Sequence, residues 1–329
     1  MKQLGDTQTI KKVQKRFRIT AAKEKFLNGC QVIHDAPLEG ERAFMARQLV
    51  QCTLPHSNPG DDKPAWVRRN GNRGLVIQAG WDLKKNCSTG YPYGTLPRLL
   101  LFWIISEVLR DKERRVRENN RRIELGDNLS SFMRDLGLIP ASAGGGKRSD
   151  STRLKDQMRR LFNCRITFQG FEESADEEGE GKFSMDVAPK YELWWSTKQP
   201  EQSALWGSWI ELGEGFFQSV LESPVPVDMR ALRLLKGSAL CLDLYCWCVW
   251  KAFEARRTGQ KQSISWKALM QQLGCSYEGL AAVKDFKKEI RAALRKVSSA
   301  YPGLRTARLE GGFSVLPGSG LAILPKGAR

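Results

Sequence analysis

The chain has 329 residues, with 53 Lys and Arg against 36 Asp and Glu, two histidines, a formal net charge of +17 and a pI near 9.7. That length supports two domains with cores of their own. A clustered basic excess points to a polyanionic partner, nucleic acid ahead of an acidic membrane. The eight cysteines, at 30, 52, 87, 164, 241, 246, 248 and 275, form no disulfide framework and no metal corner, which fits free buried thiols in a reducing cytoplasm.

No secretory leader is expected, because residues 1–30 are basic and never become an apolar block. Residues 96–109 are strongly apolar but shorter than the ~20 needed to cross a bilayer. Asp243 interrupts the other apolar run, residues 239–253. Both read as core helices, and no membrane partner is expected.

Residues 1–40 are a basic arm carrying Lys11, Lys12, Lys15, Arg16, Arg18, Lys23 and Lys25. Such a solvated, partly disordered arm can add phosphate contacts. Residues 40–51 are expected to be helical, with Phe44, Leu49 and Val50 as apolar positions, and Pro55 and the HSNPGDDKP run end them. Two short strands are expected at 66–67 and 75–77, around the turn NGNRG. Thr95 is placed to cap the next helix, which has Pro97 in its first turn. The charged segment 110–122 is a solvated helix end or loop.

From here the chain repeats itself. NLSSFMRDLGL (128–138) and SWKALMQQLGC (265–275) align Leu129, Phe132, Met133, Leu136 and Gly137 with Trp266, Leu269, Met270, Leu273 and Gly274 at one constant offset. Each is a short helix with an Asn or Ser cap and a glycine at its exit. An apolar helix precedes each copy (96–109 and 239–253). A longer basic amphipathic helix follows each (151–163 and 281–297), and then two strand-like runs (164–169 with 183–187, and 304–309 with 313–316). Helix, short helix, basic helix and hairpin in that order is the winged-helix variant of helix-turn-helix. Aromatic strand-like runs (191–195, 206–212) and two helices around SPVPVD (215–221, 229–236) bridge the copies, and they are too apolar for a flexible linker.

The fold class expected is α+β, mostly helical, with two tandem winged-helix domains. The division is a basic arm (1–40), a first winged-helix domain with an N-terminal extension (41–200) and a second winged-helix domain (201–329). In the second basic helix, Val283, Phe286, Ile290, Leu294 and Val297 form an apolar stripe. Lys284, Lys287, Lys288, Arg291 and Arg295 form a cation row about a quarter turn away. That row suits phosphates, with arginines able to reach one or two guanines of duplex DNA. Neutralising five phosphates would give a log K against log salt slope of about −4 to −5.

The first basic helix packs Leu154, Met158, Leu161 and Phe162. Its cations Arg153, Lys155, Arg159 and Arg160 are spread more widely, and Lys147 and Arg148 in GGGKRSDST sit at its approach. DNA contacts are assigned here to Lys147, Arg148, Arg153, Lys155 and Arg159. Its wing is acidic, with Glu172, Glu173, Asp176, Glu177, Glu178 and Glu180 between the two strands, and such a tip is repelled by phosphate.

Catalytic readings fare poorly. GGGKRS lacks the leading glycine and the hydroxyl residue of a phosphate loop, with Ala141 and Arg148 in their places. His34 and His56 stand far apart, so no paired-histidine nicking centre is suggested. No carboxylate spacing singles out a metal-dependent nuclease. No enzyme activity, cofactor or metal is expected.

In order, FMARQLVQCTLPH from Phe44, PYGTLPRLLL from Pro92, IELGDNLSSFMRDLG from Ile123 and GGGKRSDSTRLKDQMRRLFNCRITF from Gly144 resemble the RepA-type initiators of theta-replicating broad-host-range plasmids. The words cover about residues 40–170, and the second unit matches by pattern only. The resemblance implies a cytoplasmic protein that binds repeated origin sites (iterons), helps open adjacent AT-rich DNA and recruits host replication proteins such as helicase. It also implies autorepression, and a homodimer in exchange with a monomer. In initiators of that build the second domain makes most base contacts, while the first touches backbone or pairs copies. The acidic first wing departs from a simple two-domain clamp. A winged-helix transcriptional repressor with no role in initiation is the alternative.

Overall fold

The computed structural model describes residues 20–60, 62–138, 149–173, 178–195, 202, 207–273 and 282–324. Most of the N-terminal arm, Lys147, Arg148 and the acidic side chains at 172–180 expected to form the first wing lie outside the described residues.

Helix α1 (Ala21–Asp35) is capped by Thr20, whose hydroxyl accepts from Lys23 N. The helix expected over 40–51 is instead strand β1 (Arg42–Ala46) and one helical turn and a half, α2 (Arg47–Gln51). The cause lies far along the chain, in PVPVD. That segment, expected as a break between helices, is a strand that pairs antiparallel with β1, setting Phe44 opposite Pro226 and Ala46 opposite Pro224. Prolines cannot donate to a ladder, so these pairs sit where N–H groups point outward. Phe44 N accordingly donates to Ser106 Oγ, and Asp228 N donates to the Tyr245 hydroxyl.

Strands β2 (Trp66–Asn70) and β3 (Arg73–Gln78) form the expected hairpin, and a small one follows in β4 (Trp81–Asp82) and β5 (Cys87–Ser88). Helix α3 (Thr95–Arg110) is apolar on nearly all sides and is buried accordingly. Its cap position is Gly94, at φ +79°, and Thr95 is its first helical residue rather than its cap. The charged segment is the solvated helix α4 (Lys112–Arg117), followed by strand β6 (Arg122–Gly126).

The repeated short helix is α5 (Leu129–Asp135), capped by Asn128 through Ser131 N and left by way of Gly137 at φ +68°. The basic helix α6 (Asp150–Asn163) is capped by Ser149. Then come the hairpin β7 (Arg165–Glu173) and β8 (Glu178–Asp186), and strands β9 (Lys190–Glu192) and β10 (Ser208–Glu211). Helix α7 (Glu214–Glu222), strand β11 (Pro224–Asp228) and helix α8 (Met229–Leu235) lead to α9 (Ala239–Thr258), the second all-round apolar helix. The second copy completes with β12 (Gln262–Ser265), α10 (Trp266–Leu273), α11 (Ala282–Ala300), β13 (Thr306–Leu309) and β14 (Gly312–Val315).

The fold is thus mixed α and β, with the expected helix order present twice but the sheets arranged differently. In the second copy the strand before the short helix joins the hairpin, in the order β12-β14-β13. In the first, β6 pairs instead with β10, which pairs with β9, and the hairpin is extended outward as β2-β3-β7-β8. Two pairings, β1 with β11 and β6 with β10, cross the division at 200/201. One continuous core follows, from Ile33 through Leu100, Phe132 and Phe162 to Trp247, Phe286 and Val315. None of the described helices is long and apolar enough to cross a membrane.

Candidate nucleic-acid interface

Helix α11 buries Ala282, Phe286, Ile290, Ala293, Val297 and Ala300. Val283, expected in the apolar stripe, is exposed and Leu294 is half-buried. The buried face has therefore moved toward the alanines, whose small side chains let the helix sit close. At 3.6 residues per turn that places the cation row almost opposite the core, instead of a quarter turn from it. Lys284, Lys288, Arg291 and Arg295 are exposed, and Lys287 is half-buried. None of the five has a carboxylate within 4 Å among the described residues, although Asp285 and Glu289 lie on the same helix. Arg291 lies over the Trp266 ring at 5.7 Å, and Trp266 stacks on Phe313, so this guanidinium is partly preset by α10 and the hairpin.

The first basic helix is employed differently. Lys155 Nζ donates to the Trp195 carbonyl at 2.7 Å, and burial, helped by the Arg159 charge, lowers its pKa. Arg159 pairs with Asp82 at 2.5 Å and ties the β4–β5 hairpin to α6. Arg153 is exposed and pairs with Asp150 one turn back at 3.2 Å, while Arg160 pairs with Asp156 at 2.8 Å. Of the first-copy cations assigned to DNA, the described ones thus have internal partners.

A largely buried polar trio joins the two copies, and sequence reading missed it. Asp243, on α9, receives Arg98 Nε and Nη2 from α3, both at 2.7 Å, and His56 Nε2 lies 2.7 Å from the same carboxylate. The remaining Arg98 donors go to the Gly94, Pro55 and Leu54 carbonyls at 2.6, 3.1 and 2.7 Å. All five guanidinium N–H groups are thereby used. Burial alone would raise the Asp243 carboxyl, but the Arg98 charge and the two hydrogen bonds outweigh it and hold it below the usual carboxylate range. Burial, with the Arg98 charge adding, lowers the His56 pKa despite its bond to Asp243.

The words CTLPH and PYGTLPR are therefore two halves of one joint, closed by α9. A signal did exist: Arg98 and Asp243 are opposite charges set within the apolar runs LPRLLLFWII and ALCLDLYCWCVW. His34, by contrast, only approaches the Ser299 carbonyl, at 3.2 Å, where α1 meets the end of α11.

Among the described residues no group of histidines, cysteines and carboxylates is arranged to hold a metal. Seven cysteines are described, all free, with Cys87 exposed and the other six buried.

No curated protein matches the chain. Two crystal structures of domains 2 and 3 of RctB are similar in overall path. One, a selenomethionine derivative, has 12% identity and a TM-score of 0.47, covering 82% of this chain and 97% of its own. The other has 11% identity and a TM-score of 0.38, covering 81% and 94%. The family described as "Plasmid encoded RepA protein" matches residues 91–268, which is more than half of the 329 residues. That stretch begins at the Arg98 joint and runs through Asp243 to the start of α10. The chain belongs to the plasmid-encoded RepA family.

Proposed function

We propose that this chain is a plasmid replication initiator that binds repeated duplex sites at its origin through two winged-helix units. In this reading it opens adjoining AT-rich DNA with no enzymatic step of its own and recruits host replication proteins such as helicase. The observation that carries the reading is the cation row of α11, five charges with no carboxylate partner among the described residues, on the face turned away from the core. Such a helix gains most by lying along a phosphate-lined groove. The strand order β12-β14-β13 beside α10 and α11 supports a winged helix in the second unit. The helix order α3, α5, α6 followed by a hairpin supports one in the first.

The units are residues 41–200 and 201–329. The second reads bases, and the first, whose described α6 cations are internally paired, contacts backbone or pairs two copies. Dimers repress the chain's own gene and monomers initiate, in the cytoplasm where the plasmid resides.

Footprinting on the DNA flanking the gene tests the reading. Direct repeats about two helical turns apart should be protected. Lys288→Ala combined with Arg291→Ala should abolish protection and cost only the ring contact of Arg291, about 0.5–1 kcal/mol, in stability. Protection unchanged in that folded variant would remove α11 from the interface. Supplying the coding region in trans to an origin fragment separates an initiator, which lets it replicate, from a repressor, which does not.

A further inference from the structure

The four-stranded sheet of the first unit has two hairpin ends, and they differ in charge. By sequence the β7–β8 tip is dense in Glu and Asp, whereas residues 66–78, WVRRNGNRGLVIQ, hold three arginines and no acid. Register places both on the same side: Arg73 pairs with Gly170 and Gln78 with Arg165, so the β2–β3 turn lies toward the β7–β8 tip and away from α6. The β2–β3 end is also docked on the second unit. Strand β2 packs on α10, and Arg68, stacked over Trp66 at 4.4 Å, donates to the Gln271 carbonyl at 3.4 Å. Thr53 Oγ1 holds the Leu273 carbonyl at 3.1 Å, and Asn70 Nδ2 holds that of Gln51 at 2.9 Å. The hairpin is thus fixed to the exit of the short helix that precedes α11.

At its end Arg69, Gly71, Asn72 and Arg73 are exposed. Arg69 and Arg73 have no carboxylate within 4 Å among the described residues, and Arg73 donates only to the neutral Gln51 Oε1 at 2.9 Å. Strand alternation turns Arg69 to the opposite side from the docked Arg68.

We propose that this turn, through Arg69 and Arg73, is the duplex-backbone contact of the first unit. It replaces the acidic wing and grips phosphates beside the segment read by α11. The proposal rests on α11 facing DNA, and it assigns a binding role to a hairpin outside both helix-turn-helix copies.

The test uses the full chain and two duplexes of equal length, one from the protected region beside the gene and one of random sequence, titrated across salt. Arg69→Ala with Arg73→Ala should reduce the salt slope by about 2 and weaken binding by about tenfold or more near 0.15 M salt, equally on both duplexes. Hydroxyl-radical protection should disappear at a short run of backbone beside the α11 segment. Arg69→Lys with Arg73→Lys should retain most of the slope, because a phosphate contact needs the charge and a Gln51 brace needs the guanidinium geometry.

An unchanged slope in the folded alanine variant overturns the proposal. So does an equal loss on Lys84→Ala with Lys85→Ala, since that would report net charge rather than place. Failure of the α11 reading appears separately, as normal binding by Lys288→Ala with Arg291→Ala.

Discussion

Replacing Asp243 by Asn removes the negative charge of the joint with almost no change of shape. Arg98 and Asp243 are 2% and 8% exposed, so the guanidinium would remain desolvated opposite a neutral amide. Removing one partner of a buried pair costs about 3–5 kcal/mol. The Asn carbonyl still accepts one of the two Arg98 bonds and the three backbone carbonyls stay in place, so the lower end, about 3 kcal/mol, is expected. That is a large part of the ~5–15 kcal/mol that holds a typical protein folded. Urea unfolding followed by circular dichroism should show a midpoint about 1 M lower.

A second variant separates this joint from an ordinary ion pair. An isolated buried pair can often be replaced by apolar residues at no loss. Here Arg98→Met with Asp243→Leu should stay destabilised, because the Leu54, Pro55 and Gly94 carbonyls lose their donor at about 1–3 kcal/mol each. A midpoint for Asp243→Asn within about 0.3 M of wild type, or full stability of the apolar pair, would refute the account.

Two further outcomes follow from the same structure. The His56 pKa is lowered in the fold and that of Asp243 is depressed, so for both the unfolded chain takes up protons first. Stability should fall on acidification, beginning as pH drops through the ordinary histidine value of 6.5. His56→Gln should flatten that first limb, and an unflattened profile would show that His56 does not titrate with unfolding. Among the described cysteines, a thiol reagent on the native chain should label Cys87 quickly. It should spare Cys52 and Cys164, whose thiols burial pushes up to about 11 and about 12. Fast labelling of either would mean that the core opens readily.

The helices were the most legible part of this protein. Asn128 and Ser265 as caps, Gly137 at a helix exit and the repeated five-position pattern located α5 and α10 within a residue or two, because caps and 3.6-residue periodicity are local. Family membership was equally legible, in words such as PYGTLPRLLL. Strand β1 was not, since RAFMA is compatible with a helix and becomes a strand only because PVPVD lies beside it. Nor was the cation row fully placed. The sequence shows five cations on one arc of α11, yet whether Val283 or Ala282 and Ala293 face the core depends on how closely α11 packs on its neighbours.

Composition, periodicity and capping by themselves therefore determined a basic protein, a twice-used helix order and a helix with five cations on one arc. All of these depend on residues a few positions apart. Tertiary structure alone decided that Lys155 and Arg159 serve the fold, that Arg98, His56 and Asp243 meet, and that the β2–β3 hairpin pairs alongside the β7–β8 hairpin. Each of these joins residues tens to nearly two hundred positions apart, and charge has a partner or lacks one only once the chain has closed around it.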